Sequence, residues 1–430
     1  MTESLAVFLH DDHLGEVIPF AQGQRRQKNR VRFQWNSGYQ PGAVSLTESF
    51  TSIPGREPDS RLVSNLFGGY TPDGNHREAM AALRGIDHNG LFGLLQEFGG
   101  SLGGAISFRE PDETSPYIPH YTAMDDTTVA RRLTQAVERH DLGIQDDSRS
   151  MLPGFQPKLL LARFDSQWHE PHGRAHSTHI LKPQLQSRPH LLYNEYYSHQ
   201  LSRAMGLSQF GSEIVSAGQT LFLSIERFDR VVNGTAVSLV HQEDAAQALG
   251  LDWQNSEIKF QDAQWPTNPA RPSARAIAEL TGSLPHARTD TVQWLQQLIF
   301  HVLIGDNDAH AKNVSFVHES GGTRLSELYD AVPNLYQAGR INWDLAMAID
   351  GNFDHRKVSA ESIAREASSW SVLRSDTIES VITTTLREFA DAQASITPPN
   401  DVDPRVVERL SWNVRRLSKG DQISSPKEKL

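Results

Sequence analysis

The chain has 430 residues, 38% of them hydrophobic and 22% charged, and a formal net charge of −11. That length exceeds one ordinary core and predicts two or three packed units, while the composition excludes wholesale disorder. The absence of cysteine excludes disulfides, thiolate zinc sites and thiol catalysis and suits a reducing cytoplasm, and the acidic balance makes the chain a poor direct binder of nucleic acid.

The amino terminus, MTESLAVFLHDDH, lacks the basic start and long apolar stretch of a signal peptide. The best apolar run, LIFHVLIG at 298–305, is too short to span a bilayer and carries His301. A cytoplasmic protein with no membrane partner is expected. Two basic clusters read as solvated or partner-binding surface: Arg25, Arg26, Lys28 and Arg30, then Arg415, Arg416 and Lys419. The 18 histidines form no HExxH-type pair, so no structural transition metal is expected.

In chain order, residues 5–9 (LAVFL) and 31–35 (VRFQW) have the apolar pattern of short strands, with turn chemistry at Asp11, Asp12 and Gly15. Residues 75–84 and 89–97 predict short helices, and GAISF at 104–108 predicts a strand. GGSLGG at 99–104 looks like a phosphate loop but lacks the GxGxxG or GxxxxGK[ST] spacing, and reads as a turn. PDETSPYIPH at 111–120 predicts a linker. Val129, Leu133 and Val137 predict a helix over about 126–140, capped by Asp125 or Asp126. A domain boundary is expected near residue 145, at the polar run IQDDSRS.

Beyond it, KLLLARF (158–164) and THILK (178–182) predict strands, about 191–205 a helix, and about 213–217 and 220–226 two strands separated by Gly218. Val292, Leu295, Leu298, Ile299 and Val302 form one apolar helical face that runs into Gly305. The last helix is marked by Asp403 as cap, Pro404 in the first turn and Gly420 as stop, and 421–430 is expected to be loose. There is no internal repeat.

The segment GDNDAHAKN at 305–313 carries the chemistry. Phosphoryl transfer needs a carboxylate to orient the nucleophilic hydroxyl and an amide oxygen to help hold Mg²⁺, and protein kinases separate this Asp and Asn by four residues. Asp308 and Asn313 have that spacing. ELYD at 327–330 supplies Asp330 as a second, metal-binding Asp; THILK ends in Lys182 for the nucleotide phosphates, with Glu195 on the next helix as its ion-pair partner. Each residue alone also fits a plainer role: a loop or cap Asp, a solvated strand-end Lys, an exposed helical Glu. The joint order Lys, Glu, Asp, Asn, Asp is harder to attribute to chance.

Over nearly its full length, and most strongly over 149–350, the chain resembles the HipA family of toxin kinases. The family's D-x-H-x-K-N motif stands as Asp308, His310, Lys312 and Asn313, its metal-binding Asp as Asp330, and its H-I-x-K lysine as Lys182. Its N-E-Y helix start matches Asn194, Glu195 and Tyr196. Its E-R-F-D-R hinge, whose first residues line the adenine, matches Glu226, Arg227, Phe228, Asp229 and Arg230; without the other motifs this run would read as a charged strand end with one core Phe. Its phosphate loop matches Leu152, Pro153, Gly154, Phe155, Gln156 and Lys158, where successive backbone N–H groups can cradle phosphates. The family's autophosphorylated serine aligns with Met151, which leaves Ser150, then Ser148, as candidates.

The resemblance implies an α+β fold: an N-terminal mixed α/β domain (1–145), then a bilobal protein-kinase-like domain (146–420) with an ATP lobe at about 146–240 and a largely helical C-terminal lobe at about 241–420. It implies ATP and Mg²⁺ as cofactors, Asp308, His310 and Lys312 as catalytic residues, and an aminoacyl-tRNA synthetase as the protein substrate. It implies a HipB-like helix-turn-helix antitoxin as partner, with operator DNA contacted mainly through that antitoxin. Two other readings compete: a kinase of a lipid or small molecule, and a non-catalytic corepressor that binds ATP or the antitoxin. The intact Asp308, Asn313 and Asp330 set argues against the corepressor.

Overall fold

A computed structural model describes residues 3–424 apart from 23–24, 54, 112, 114–117, 141, 143–146, 155 and 338–341. The expected boundary near 145, Phe155 of the phosphate loop, much of the turn-rich linker and tail residues 425–430 lie outside the described residues. The chain forms two compact units. The first takes Met1–Pro183, Glu213–Ser256 and Val317–Gly322; the second takes Gln184–Ser212, Glu257–Phe316 and Thr323–Leu430. Strands expected to open an ATP lobe thus belong to the same unit as the N-terminal sheet.

In the first unit, a four-stranded sheet has the order Arg25–Trp35, Asp12–Gln22, Leu5–Leu9, Ile106–Arg109. Alternation along these strands buries Leu5, Val7, Leu9, Val17, Val31 and Phe33. They join Leu66, Phe67, Leu91, Leu95 and Phe98, from the helices Ser60–Gly69 and Leu91–Phe98, in one core. A six-stranded sheet follows in the order His120–Met124, Gln167–His172, Leu159–Phe164, His179–Pro183, Thr220–Glu226, Ser212–Ala217. The helix Asp126–Arg139, capped by Asp125, packs Val129 and Leu133 against Leu159, Leu161, Leu181 and Phe222. Gly218, at φ 57°, makes the turn between the last two strands.

Two buried carboxylates hold this unit together. Asp229 accepts from Arg227 Nε at 2.9 Å and Nη2 at 2.8 Å and from the Gly104 N–H at 2.9 Å. Arg227 and Arg230 also donate to the Leu102 carbonyl, and Arg230 to that of Gly104. The GGSLGG turn is therefore fastened to ERFDR. Burial pushes the Asp229 carboxyl up, but Arg227 and Arg230 overcome this and hold it well below the usual range. Glu243, fully buried, accepts from Thr47 Oγ1 and the Glu48 N–H, both at 2.6 Å, and lies 3.2 Å from His318 Nε2. The His318 ring stacks on His241 at 4.9 Å.

The second unit is built on the helix Ala287–Ile304. Its C-terminal part is buried from Leu298 to Ile304 without a break, so it is a central helix rather than the one-faced helix expected. The helix Ala274–Ser283 meets it through Trp294 Nε1, which donates to the Ala274 carbonyl at 3.0 Å. Phe389, on the helix Ser375–Ser395, packs edge-on to Phe300. The final helix, Pro404–Ser418, begins as expected with Asp403 accepting from the Arg405 N–H. Its buried Asn413 donates to the Leu303 carbonyl at 2.9 Å and to Tyr336 Oη at 2.7 Å. The helix Leu191–Ala204 also belongs here, and Asn194 Oδ1 accepts from the Asp403 N–H. Among the described residues no helix is long and apolar enough to cross a membrane.

Candidate functional site

In the second unit the central helix stops at Gly305, in the left-handed region at φ 69°. A Cβ there would lie 2.4 Å from the Tyr336 ring, so only glycine fits both the turn and the space. The chain then folds back on itself. The Asp308 carbonyl accepts from the His310 N–H at 2.7 Å and from Asn313 Nδ2 at 3.0 Å, and the His310 carbonyl accepts from the Asn313 N–H at 2.9 Å. The Asp308 side chain is 55% exposed, with Oδ1 3.8 Å from the buried His310 Nε2. Phe260 stands edge-on to the His310 ring at 5.2 Å. The result is a carboxylate on a fixed backbone with its oxygens accessible. Asn313 uses its NH₂ on the Asp308 carbonyl, which leaves its amide oxygen as the group able to ligate a cation.

Asp330 is tied to the same region. Tyr329 Oη donates to the Lys312 carbonyl at 3.0 Å and lies 2.6 Å from Ser315 Oγ. Asp330 itself has φ 52°, a conformation that costs a non-glycine residue free energy and persists only where neighbours fix it. The second unit thus brings Asp308, His310, Lys312, Asn313 and the Asp330 loop together. Among the described residues no three His, Asp or Glu side chains converge as a metal cage. One carboxylate and one amide oxygen suit a hard ion that takes its remaining ligands from phosphates and water, as Mg²⁺ does. Glu195 is buried on its helix, 3.8 Å from His199 one turn on, and is not the exposed helical Glu of the plainer reading.

In the first unit, Leu152, Pro153, Gly154, Gln156 and Lys158 form the run into the strand Leu159–Phe164. Lys158 Nζ donates to the Pro153 carbonyl at 2.7 Å. Gly154 has φ 120°, and a Cβ there would lie 2.3 Å from that Nζ. The loop therefore curls around its own lysine, and glycine is required at the tightest point. Lys182 is half-buried and pairs with Leu223, while its neighbour Leu181 pairs with Leu159. The loop and Lys182 consequently share one end of the sheet. Glu226, exposed, ends the strand opposite His179, and Phe228 is half-buried.

At two of the candidate sites the residues are held by the protein's own contacts. The Arg227 guanidinium is buried against Asp229, Ser177 and Leu102, and its backbone N–H donates to the Thr178 carbonyl at 2.9 Å. Ser148 and Ser150 are 5% and 4% exposed, and form bridges with Gly173 and Ser101 respectively. Fully buried Met151 draws this segment into the core. One residue near the site went unnoticed in the sequence: Asp306, buried and two positions before Asp308. Its only signal there is a second Asp directly after a helix-ending glycine.

Comparison with known proteins follows the same outline. Residues 150–393 match the model of the HipA-like C-terminal domain and residues 5–109 that of the HipA N-terminal domain. The protein Y4mE of Sinorhizobium fredii is 32% identical over 288 residues, which cover 65% of this chain and 66% of that protein. The serine/threonine-protein kinase toxin HipA of Shewanella oneidensis is 27% identical over 325 residues, covering 71% and 70%. These matches span about two thirds of the relatives' lengths. Among solved structures, the fold matches a chain of the Shewanella oneidensis complex of HipA, HipB and operator DNA, with a TM-score of 0.77 at 22% identity over 96% of this chain and 99% of that one.

Proposed function

The chain belongs to the HipA family, and from that premise we propose that it is a toxin serine/threonine protein kinase that transfers the γ-phosphoryl group of ATP to a serine hydroxyl of a protein. The observation that carries this reading is the backbone-fixed, solvent-accessible carboxylate of Asp308, hydrogen-bonded through its carbonyl to Asn313.

Asp308 would orient the attacking hydroxyl and take its proton as the new bond to phosphorus forms. His310 and Lys312 would act beside Asp308 in the transfer, and their backbone groups help hold that loop: the His310 carbonyl accepts from the Asn313 N–H and the Lys312 carbonyl from Tyr329 Oη. Asn313 and Asp330 would hold Mg²⁺, which neutralises phosphate charge. In the first unit, Lys182 and the 152–158 loop would bind phosphates, and Glu226 and Phe228 the adenine. Lys182 and Glu195 are proposed as an ion pair. Self-modification at Ser150, or at Ser148, would require residues 148–151 to leave their bridges with Ser101 and Gly173.

Further proposals rest on the family. The substrate is read as an aminoacyl-tRNA synthetase, and the partner as a HipB-like helix-turn-helix antitoxin that carries most of the affinity for operator DNA. The fold match to a HipA solved with HipB and operator DNA and the net charge of −11 support this division of labour. The test is to incubate purified protein with labelled ATP, Mg²⁺ and a cell lysate. A labelled protein is expected. A labelled lipid or small molecule would replace the reading with another kinase class, and ATP binding without labelling would replace it with a corepressor.

A further inference from the structure

We infer that Asp306 is a positioning residue whose buried carboxylate clasps the segment carrying Asp308 and the segment carrying Asp330, setting the two in register. The inference rests on the kinase reading only for its catalytic consequence.

Asp306 is 1% exposed, and both carboxylate oxygens are occupied by donors from three segments. Oδ1 accepts from the Asp308 N–H at 2.9 Å and from Asn334 Nδ2 at 3.3 Å. Oδ2 lies 2.9 Å from His301 Nδ1 and accepts from the Val332 N–H at 3.4 Å. Its own N–H donates to the His301 carbonyl at 2.9 Å, which anchors it to the end of the central helix. A carboxylate taken out of water is costly unless hydrogen bonds surround it, and bonds to a charged acceptor are roughly twice as strong as neutral ones. Here those bonds reach two residues ahead to Asp308 and two residues past Asp330. A second tie, Leu335 N–H to the Gly305 carbonyl at 3.0 Å, holds the far end of the Asp330 segment to the same helix end. The Tyr329 hydroxyl, donating to the Lys312 carbonyl at 3.0 Å, is a further link between the two segments, but Asp306 alone among these ties bonds the backbone of Asp308 itself.

Chemistry separates this role from simple support. In Asp306→Asn the amide oxygen can keep the Asp308 and Asn334 bonds. Its NH₂ would then face His301, which can move its proton to Nε2 and accept at Nδ1, so only the Val332 bond is lost. Asp306→Ala loses every bond.

The experiment compares the native chain with both variants by amide hydrogen exchange, by phosphoryl-transfer kinetics and by the Mg²⁺ concentration giving half-maximal rate. In Asp306→Ala, residues 306–313 and 330–335 should both exchange at least about tenfold faster while the helix 287–304 stays native-like. The rate should fall about 100-fold, as for an ångström-scale misplacement, and the Mg²⁺ requirement should rise. Asp306→Asn should restore native exchange at 306–313 alone and most of the rate. Native exchange in either segment of Asp306→Ala, or a native rate and Mg²⁺ requirement, overturns the inference. If Asp306→Ala does not fold, Asp306→Asn decides: faster exchange at 330–335 with native exchange at 306–313 supports the clasp, and any other pattern rejects it. A native chain that transfers nothing sinks the kinase reading, while the exchange data still decide the clasp.

Discussion

The segments 226–230 and 305–313 are both short, charged and motif-bearing, yet they use charge in opposite ways. In the first, Arg227, Asp229 and Arg230 turn inward and satisfy one another and the GGSLGG turn. In the second, Asp306 turns inward while Asp308, two residues on, keeps its carboxylate 55% exposed on a backbone fixed by His310 and Asn313. A carboxylate whose oxygens are all occupied by protein donors builds structure. One whose backbone is fixed but whose oxygens meet solvent is available to a reactant.

The largest effect expected from this contrast is at Asp308. Asp308→Asn keeps the size but loses the basicity, so transfer should fall by about 10²–10⁴-fold while the melting temperature stays within about 1 °C. Cells making the native chain without antitoxin should stop growing, and cells making equal amounts of the variant should not. Arrest by the folded variant would break the comparison at its functional end.

The opposite profile is expected at Asp229. Asp229→Ala leaves two buried guanidinium groups without their carboxylate and should cost about 3–5 kcal/mol of stability, read by denaturant unfolding. The folded-state pKa of Asp229 is lowered, so its contribution is complete above the ordinary Asp pKa near ~4 and fades as pH drops below it. The gap between native and variant should therefore narrow in acid. A gap constant with pH would mean that packing, not charge, sets the cost.

Lys182, half-buried at its strand end, lies between the two extremes. Lys182→Ala should weaken ATP binding by about 1.5–3 kcal/mol, roughly 10- to 150-fold, with little loss of stability. Calorimetric titration with ATP checks this; unchanged affinity would move Lys182 to the structural group.

The smallest effect sharpens the structural side. Asp290 is buried near the start of the central helix, and its Oδ2 has no hydrogen-bond partner among the described residues. Burial raises its carboxyl to about 6, against the opposing pull of His286 and Arg324. With the folded pKa above the unfolded value, stability is lost as pH rises from about 4 to about 6. Asp290→Asn should gain about 1–3 kcal/mol at pH 7–8 and nothing below pH 4, as thermal melts across pH would reveal.

Much of this was legible in the chain because the relevant signals are local. The helix ending at Gly305, the Asp125 and Asp403 caps and the Gly218 turn are each decided within a few residues. So is the spacing of Asp308 and Asn313. The inward turn of Arg227 was not legible, because its acceptor at Leu102 lies 125 positions away. Nor was the burial of Ser150, set by bridges to Ser101 and by the core around Met151. The strand His120–Met124 was hidden for a different reason: it is largely exposed and lacks apolar alternation. The helix Ser375–Ser395 went unread because β-branched residues such as Ile378, Ile382 and Thr385 blur helix with strand, although its buried residues recur at helical spacing.

The Glu243–His318 contact has a consequence for biosynthesis. The first unit draws its last residues from Val317–Gly322, after a long excursion that begins beyond Ser256. At about 5–20 residues per second, a ribosome needs roughly 3–12 s to cross that stretch of 60 residues. Throughout that interval Thr47, Glu48 and Glu243 have been synthesised but His318, which lies 3.2 Å from Glu243 in the finished chain, has not. The order of translation therefore decides when the carboxylate acquires its imidazole partner, and a chain halted before residue 318 would release the first unit without it.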